Sequence, residues 1–267
     1  MSETPAPASP AAANGARITA ITSGKGGVGK TLVTANLAAA LARRGERVLV
    51  LDADLGLANI DVVLNLASRL TLHDVFTDRA PLEDAILPAP GGFSVLLAGS
   101  GMVEYSRMTP LVRDKLLDVI ERVRPRYDHV LLDTGAGISD VVLFTISLAT
   151  EVLVVVTPEP TSLADAYATI KLLTATQARR PVKLLVNQAR RPGEGRAVRA
   201  QLQQVVDRFI NVTLTEPLRL ELIGEVPIDA AVRDAIQSRR LLLETVPGCP
   251  AAMALTAAAA RLANAAL

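Results

Sequence analysis

A glycine-rich stretch near the start of the chain contains the residue types that bind phosphate groups. Residues 24–31 read GKGGVGKT and fit the pattern G-x-x-x-x-G-K-[ST]. Glycines let the backbone wrap so that its N–H groups point at phosphate oxygens, and the start of a helix adds positive dipole. We predict that Lys30 binds the β and γ phosphates of a nucleotide and that the Thr31 hydroxyl binds Mg²⁺. The predicted nucleotide-binding residues of this loop are Gly24, Lys25, Gly26, Gly27, Val28, Gly29, Lys30 and Thr31.

Carboxylates follow two apolar segments, where they could complete such a site. Val48–Leu51 runs into Asp52 and Asp54, and alternation along an extended chain aims both side chains the same way. His129–Leu132 runs into Asp133, as in a Walker B strand whose terminal acid holds Mg²⁺ through water. An alternative for Asp52 and Asp54 is that the carboxylate caps the turn that follows. The pattern therefore predicts a magnesium site where two strands end.

The hydrophobic pattern indicates the elements that position these groups. Mostly unbroken runs of Val, Leu and Ile predict strands buried on both faces, and amphipathic segments between them predict helices. This alternation predicts a mainly parallel sheet flanked by helices on both faces, with ligands at the carboxyl ends of the strands. The predicted strands are Ile18–Thr22, Val48–Leu51, Phe93–Leu97, His129–Leu132, Val152–Val156, Val182–Val186 and, more weakly, Leu222–Val226. The predicted helices are Thr31–Arg44, Leu111–Arg124, Thr161–Thr176, Arg196–Arg208, Asp229–Arg240 and Ala251–Leu267.

The composition fits a single cytoplasmic α/β domain. Of the 267 residues, 50% are hydrophobic but only 3% are aromatic, so Ala, Leu and Val must fill the core. Lys and Arg number 28 against 27 Asp and Glu, which gives no general attraction to nucleic acid or anionic lipid. Residues 1–16 are rich in Pro, Ala and Ser and are predicted to be a disordered tail before one domain at 17–267. The chain has one cysteine and no secretory signal, and no apolar run reaches the ~18 residues that a membrane span needs.

The loop also contains a second lysine, Lys25, which a phosphate loop does not require. A solvated surface lysine is one explanation. However, residues 25–31, KGGVGKT, resemble the deviant Walker A motif of the MinD/ParA family of P-loop ATPases. This resemblance implies a slow, Mg²⁺-dependent ATPase in which the early lysine reaches across a homodimer to the phosphates of the partner's ATP. Because a cation and phosphates attract each other far more strongly in a dry interface than in water, ATP would join the two subunits.

The same resemblance assigns catalytic roles at the strand ends. It implies that Asp54 positions or activates the attacking water and that Asp52 belongs to the surroundings of the Mg²⁺ ion. Together with Lys25 and Lys30, Asp54 therefore makes up the predicted catalytic set, while Thr31, Asp52 and Asp133 make up the predicted metal site.

Two later loops resemble the adenine pocket of the family. Asn187 follows a predicted strand, and its amide matches the donor and acceptor edge of adenine. Pro227 and Asp229 follow another predicted strand and could pack on the ring. All three residues could equally belong to ordinary strand-to-helix turns, with Asp229 as a helix N-cap.

Several further stretches resemble the flagellar-number regulators FlhG/FleN within this family. The resemblance implies control of flagellar number or placement through a flagellar transcriptional activator or an FlhF-type GTPase, at a polar or transiently membrane-associated location. The chain lacks the Asp-Gln-Ala-type N-terminal helix that stimulates the GTPase, which favours the activator, and Leu32 replaces a second Thr of many relatives. The similar stretches are Asp52–Asp61, Thr71–Phe76, Asp133–Ser139, Glu159–Ala168, Gly224–Ile228 and Ala231–Ala235.

Two alternatives within the family are a ParA-like positioning ATPase that binds DNA and a MinD-like division-site regulator at the membrane. Acidic Glu194 and Asp207 dilute the basic residues that could contact DNA, which favours a solvated face. Ala251–Leu267 has a small apolar face with Arg261 as its only cation, which favours packing on the domain over lipid binding. The basic residues in question are Arg179, Arg180, Arg190, Arg191, Arg196 and Arg199.

Other chemistries have little support in the sequence. His73 and His129 lie alone, without the spacing of metal ligands. Cys249 is the only cysteine, and a bridging iron–sulfur cluster needs more thiolates. These observations argue against a zinc site and against an iron–sulfur carrier.

Overall fold

The computed structural model describes residues 15–55, 59–99, 108–177 and 182–264. These residues form one sheet whose neighbouring strands are parallel, except for an antiparallel strand at one edge. The strands are β1 (Arg17–Ser23), β2 (Val48–Ala53), β3 (Ile86–Pro88), β4 (Ser94–Leu96), β5 (His129–Ala136), β6 (Glu151–Val156), β7 (Val182–Ala189) and β8 (Leu220–Pro227). Their order across the sheet is β3-β4-β2-β5-β1-β6-β7-β8. The prediction of a mainly parallel sheet is confirmed.

Helices cover both faces of this sheet, as predicted. Alternate side chains of β5 enter different cores: Val130 and Leu132 belong to one, and Leu131 to the other. The helices are α1 (Lys30–Ala42), α2 (Ile60–Leu64), α3 (Leu72–Phe76), α4 (Leu82–Ala85), α5 (Pro110–Val123), α6 (Asp140–Ser147), α7 (Pro160–Gln177), α8 (Glu194–Phe209), α9 (Ala230–Gln237), α10 (Leu242–Thr245) and α11 (Pro250–Asn264). The first core includes buried residues of helices α5, α7 and α8, and the second includes those of α1 and α11.

The predicted elements match the longer elements of the structure. The six predicted helices overlap α1, α5, α7, α8, α9 and α11, and the seven predicted strands overlap every strand but β3. The missed elements, β3, α2, α3, α4, α6 and α10, are eight residues long or shorter. Such short elements depend on local caps more than on a hydrophobic period. In α3, for example, Thr71 and Asp74 form a reciprocal capping box.

The C-terminal helix packs against the body of the domain, as the sequence favoured. α11 lies on α1 and β8, with Leu255 and Leu262 fully buried. The approach is close, because a Cβ atom at Gly224 of β8 would lie 2.9 Å from the Cβ of Ala258. Residues 265–267 lie outside the described part of the chain. Among the described helices, none has the length and apolarity needed to cross a bilayer.

At the other terminus, the domain begins before the first strand. Ala16 is buried, and its N–H donates to the carbonyl oxygen of Arg124 at 2.9 Å. Gly15 is also among the described residues, whereas residues 1–14 of the predicted tail lie outside them.

Candidate functional site

A glycine-rich loop connects β1 to α1 at the carboxyl edge of the sheet. Gly27 and Gly29 have φ angles of 77° and 91°, a left-handed conformation that other residues rarely adopt. A Cβ atom at Gly24 would lie 2.3 Å from the backbone of Asp165 in α7. At Gly29 it would lie 2.5 Å from Nδ2 of Asn187 in β7. Backbone shape and close packing therefore require glycine at three positions of the predicted phosphate loop.

Lys30 begins α1 and faces a cavity of about 660 Å³ beside this loop. Its Nζ donates to Oγ of Ser23 at 3.0 Å. Burial lowers the pKa of Lys30, while the charges of Asp133 and Asp54 raise it. The cavity also touches Gly26, Gly27, Gly29, Thr31 and Asp54. A cation at the mouth of a glycine loop can bind an anionic group such as a phosphate.

Lys25 does not line that cavity. Its Nζ donates to Oε2 of Glu159 at 2.8 Å and to Oγ1 of Thr161 at 3.0 Å. Both acceptors lie at the start of α7, and 38% of the Lys25 side chain is exposed. The two lysines of the loop therefore face different surroundings: Lys30 faces the chain's own cavity, and Lys25 lies on the outer surface.

Strand pairing brings two of the predicted acids together. Asp52 of β2 lies opposite Asp133 of β5 in the parallel ladder, and both carboxylates are buried. Asp52 accepts hydrogen bonds from the backbone N–H groups of Asp54 (3.2 Å) and Ile60 (3.4 Å). Burial and the charge of Asp133 raise the pKa of Asp52 well above its ordinary value. These contacts fit the alternative that Asp52 caps the turn, and its place around Mg²⁺ stays a prediction.

Asp133 has the contacts of a preformed ligand. The hydroxyl of Thr34 donates to its Oδ1 at 2.9 Å, and the nearby hydroxyls of Thr31 and Thr34 both lower its pKa. Burial nevertheless raises the pKa of Asp133 to about 6. The environment therefore lacks enough positive charge to stabilise the carboxylate fully, and a cation bound beside it would supply that charge.

This donor set fits Mg²⁺. The ion prefers oxygen ligands, and proteins usually supply one or two while phosphates and water supply the rest. Thr31 and Asp133 provide a hydroxyl and a carboxylate next to the phosphate loop. In the described residues, no group of three or more His, Cys, Asp or Glu side chains forms an all-protein metal site. Thr31 and Asp133 are thus suited to hold Mg²⁺ together with a nucleotide.

Asp54 lies just beyond β2, close to Gly135 near the end of β5. A Cβ atom at Gly135 would be 3.3 Å from Oδ1 of Asp54. Unlike the buried Asp52, Asp54 lines the cavity, where it could orient a water molecule. The sequence predicts that Asp52 and Asp54 point the same way, but in the structure their surroundings differ: Asp52 is buried and Asp54 lines the cavity.

The predicted adenine pocket has structural contacts of its own. Nδ2 of Asn187 donates to the carbonyl oxygen of Val28 at 2.8 Å, so this side chain braces the phosphate loop. Asp229 accepts from the N–H of Ala231 at 3.0 Å and from the N–H of Ala251 at 3.2 Å. It thereby caps α9, as the alternative proposed, and also holds the start of α11. Pro227 ends β8, and its role at adenine, like those of Asn187 and Asp229, stays a prediction.

Four contributing side chains were not identified from the sequence. They are Ser23 and Thr34, which contact Lys30 and Asp133, and Glu159 and Thr161, which hold Lys25. The position of Thr34 one turn after Lys30 in a helix that opens a phosphate loop could have indicated that its hydroxyl faces the strand ends. From the sequence, Glu159 belongs to the stretch Glu159–Ala168 that resembles FlhG/FleN, but the resemblance assigns no role to its side chain.

Among the described residues, those set aside do not line this cavity. His129 is buried at the start of β5, where burial lowers its pKa. Arg179 and Arg180 lie outside the described residues, whereas Arg196 and Arg199 belong to α8.

Comparison with known families and proteins agrees with this geometry. The family model described as ParA, NUBPL iron-transfer P-loop NTPase, matches residues 14–263. The antiactivator FleN of Pseudomonas aeruginosa is 42% identical over 246 residues, which cover 92% of this chain and 86% of that protein. The flagellum site-determining protein YlxH of Helicobacter pylori is 32% identical over 230 residues, covering 85% of this chain and 75% of that protein.

A solved structure of similar fold contains nucleotide and metal. The septum site-determining protein MinD from Pyrococcus horikoshii, complexed with Mg-ADP, superposes with a TM-score of 0.76 at 27% identity. The match covers 92% of this chain and 96% of that one.

Proposed function

Because this chain belongs to the ParA/MinD family of P-loop NTPases, we propose that it is an ATP-driven switch that forms a homodimer around ATP and separates after hydrolysis. We propose further that the dimer regulates flagellar number or placement through a protein partner. The names of two relatives, antiactivator FleN and flagellum site-determining protein YlxH, support this role.

The main support for the proposal is that the two loop lysines, Lys30 and Lys25, point into different surroundings. Lys30 reaches inward to Ser23. In this position it would meet the phosphates of the chain's own nucleotide. Lys25 lies on the surface against Glu159 and Thr161, where it contributes nothing to its own cavity. A second subunit placed against this surface would bring its own Lys25 toward the bound nucleotide.

Release of Lys25 from its own chain requires little free energy. Exposed ion pairs contribute little to stability, because water screens the charges. The Lys25–Glu159 pair is of this kind, since 38% and 52% of the two side chains are exposed. The triphosphate of a facing subunit carries more negative charge than one carboxylate, and dimerisation would remove water from around it. ATP therefore competes successfully with Glu159 for this lysine.

The residues around the cavity have separate roles in the proposed hydrolysis. Lys30 and the loop N–H groups bind and orient the phosphates, while Asp54 holds the attacking water in line. Thr31 and Asp133 would hold Mg²⁺, which neutralises charge on the phosphates when it is bound. Asp52 fixes the turn that carries Asp54, since it accepts the Asp54 N–H.

Separate measurements of binding and hydrolysis test this division. We expect Lys30→Ala to weaken binding of a fluorescent ATP analogue by about 100-fold, because a buried charge-assisted contact is lost. Lys25→Ala should bind the analogue within about threefold of the wild type but lose phosphate release, since it lacks only the contact made in trans. If Lys25→Ala hydrolyses ATP at the wild-type rate, the proposed dimer mechanism is wrong.

The flagellar role needs a test of its own. The Asp54→Ala protein should bind ATP without hydrolysing it and so remain in the partner-binding state. Affinity capture from cells with this variant, compared with Lys30→Ala as the control, is expected to recover a flagellar transcriptional activator. Recovery of a division protein or a chemoreceptor cluster instead would contradict the flagellar role but not the ATP-dependent dimer.

A further inference from the structure

β8 is the last strand at one edge of the sheet. It pairs with β7 from Val182↔Leu220 to Ala189↔Pro227, and the described residues place no strand on its other side. An unpaired edge presents backbone N–H and C=O groups to whatever lies beside it. Proteins shield such edges or use them to add a strand from another chain.

A groove of about 800 Å³ follows this edge between α8 and α11. Four arginines from three separate segments line it: Arg196 and Arg199 of α8, Arg219 just before β8, and Arg261 of α11. Only Arg196 and Arg199 belonged to the basic run seen in the sequence. The fold therefore assembles a positive groove that the sequence pattern did not indicate.

Two carboxylates also line the groove, but one of them is committed to holding the fold. Glu225 accepts from the backbone N–H of Gly193 at 2.9 Å and from that of Gly195 at 2.6 Å, so its charge stabilises the start of α8. Glu221 is the other carboxylate among the lining residues. Four arginines thus face two acids, and the groove attracts negatively charged groups.

The backbone of the edge already accepts a hydrogen bond from outside the sheet. The ladder pairs Leu184 with Leu222 and Leu185 with Gly224, which leaves Ile223 as an extra residue in β8. Nη1 of Arg261 donates to the carbonyl oxygen of Ile223 at 2.8 Å. A bulge of this kind reorients the backbone of an edge strand. Arg261 therefore satisfies the carbonyl at the bulge and lies on the α11 side of the edge, while Arg196 and Arg199 lie on the α8 side. The groove thus has cations on both sides of the strand edge.

We propose that this groove binds an extended acidic segment of a partner protein, which adds to β8 as a further strand. Successive side chains of an added strand point to opposite faces of the sheet. One set would meet Arg196 and Arg199 of α8, and the other would meet Arg261 of α11. Nucleic acid fits less well, because its phosphates would face Glu221 and would leave the strand edge unpaired.

This surface is separate from the nucleotide cavity. No residue that lines the groove also lines that cavity. Two strands, β6 and β7, lie between β1 and β8, which corresponds to roughly 14 Å across the sheet. The proposal therefore does not depend on how the nucleotide is used.

The test measures binding of a defined peptide by fluorescence anisotropy. The probe is a labelled, end-capped peptide of eight residues, to match the eight of β8, in which pairs of Glu alternate with pairs of Thr so that acids point to both faces of the added strand. We expect saturable binding to the full chain and a loss of at least about tenfold in affinity for the Arg196→Glu/Arg199→Glu protein. Arg208→Glu is the matched control, because Arg208 lies on α8 but does not line the groove, and its affinity should stay within about twofold of the wild type.

A second probe separates strand addition from simple charge attraction. The same peptide with N-methyl groups at alternate residues keeps its charges but cannot pair along the edge, and its affinity should fall by about tenfold. Equal binding of the methylated peptide would overturn the proposal, as would equal losses in the Arg208→Glu protein. Absence of binding, or arginine-dependent binding of a short DNA duplex in place of the peptide, would also overturn it. Thermal melts of each variant verify that the arginine changes leave the fold intact.

Discussion

The two ends of the parallel sheet use charged residues in opposite ways. At the amino ends of the strands, buried Lys183 of β7 pairs with Glu151 of β6, and Thr19 of β1 donates to the same carboxylate at 2.6 Å. At the carboxyl ends, Asp52 and Asp133 lie opposite each other and both have raised pKa values. Lys183 and Glu151 at the first end pair with each other, whereas the second end holds neighbouring acids that a bound cation would stabilise.

This difference distinguishes charged residues that stabilise the fold from charged residues that are suited to bind a ligand. Lys183 and Glu151 neutralise each other inside the fold, so this pair needs no ligand to balance its charges. Acids that remain partly destabilised reduce the stability of the ligand-free protein, and they lie where we propose that metal and nucleotide bind.

Removal of the carboxylate at the amino end should affect stability alone. We expect Glu151→Ala to lower the free energy of unfolding by about 3–5 kcal/mol in urea titrations, because it leaves buried Lys183 without a partner. The double variant Glu151→Leu/Lys183→Met serves as the control and should recover most of the loss. A loss below about 1 kcal/mol in Glu151→Ala would mean that water reaches this end and that the contrast fails.

At the carboxyl end, loss of a charge should stabilise the ligand-free protein. Since the pKa of Asp133 is about 6 in the fold and 3.8 ordinarily, its contribution to stability is present below pH 4 and is lost as the pH rises through 6. Asp133→Asn removes this loss, so at about pH 8 its free energy of unfolding should exceed that of the wild type by about 2–3 kcal/mol. Near pH 4 the two proteins should be similar.

The same substitution should weaken binding of Mg²⁺ and nucleotide together, because the amide carries no charge. Urea titrations without ligand and calorimetry with Mg-ATP measure the two effects. Equal stability of Asp133→Asn and the wild type at pH 8 would show that Asp133 is not destabilised by burial.

A smaller effect is expected from Thr34, which orients Asp133. Thr34→Val keeps the shape of the side chain but removes the hydroxyl that donates to Oδ1 of Asp133 at 2.9 Å. We expect about fivefold weaker binding of ATP with Mg²⁺, corresponding to about 1 kcal/mol for a lost hydrogen bond. Binding in EDTA should change little, and Thr34→Ser should restore the wild-type affinity. An equal loss with and without Mg²⁺ would assign Thr34 to packing alone.

The phosphate end was predictable because its signals are local in the sequence. The glycine loop, Lys30 and Thr31 are consecutive, and the unbroken apolar strands before Asp52 and Asp133 place both acids at the same sheet edge. Parallel strands of similar length then bring these acids opposite each other. Such local patterns predict the site because the path of the backbone through the loop and the strand ends determines where these side chains lie.

The contacts that were not predicted join distant parts of the chain. Glu159 lies 134 residues after Lys25, and Arg261 lies 38 residues after Ile223. No periodicity or motif relates such pairs, because their contact depends on how α7 and α11 pack on the sheet. Asp229 presents an intermediate case: its cap on α9 is local and was considered, but its bond to Ala251 was not.

In the proposed dimer, Lys25 acts on the nucleotide of a second subunit. Light scattering after size exclusion, with saturating ATP and Mg²⁺, tests it in a pair of proteins that cannot hydrolyse ATP. The Asp54→Ala protein should have the mass of a dimer, and Lys25→Ala/Asp54→Ala should have that of a monomer while still binding ATP. A dimer of equal stability in both proteins, or a monomer in both, would show that Lys25 does not join two ATP-bound subunits.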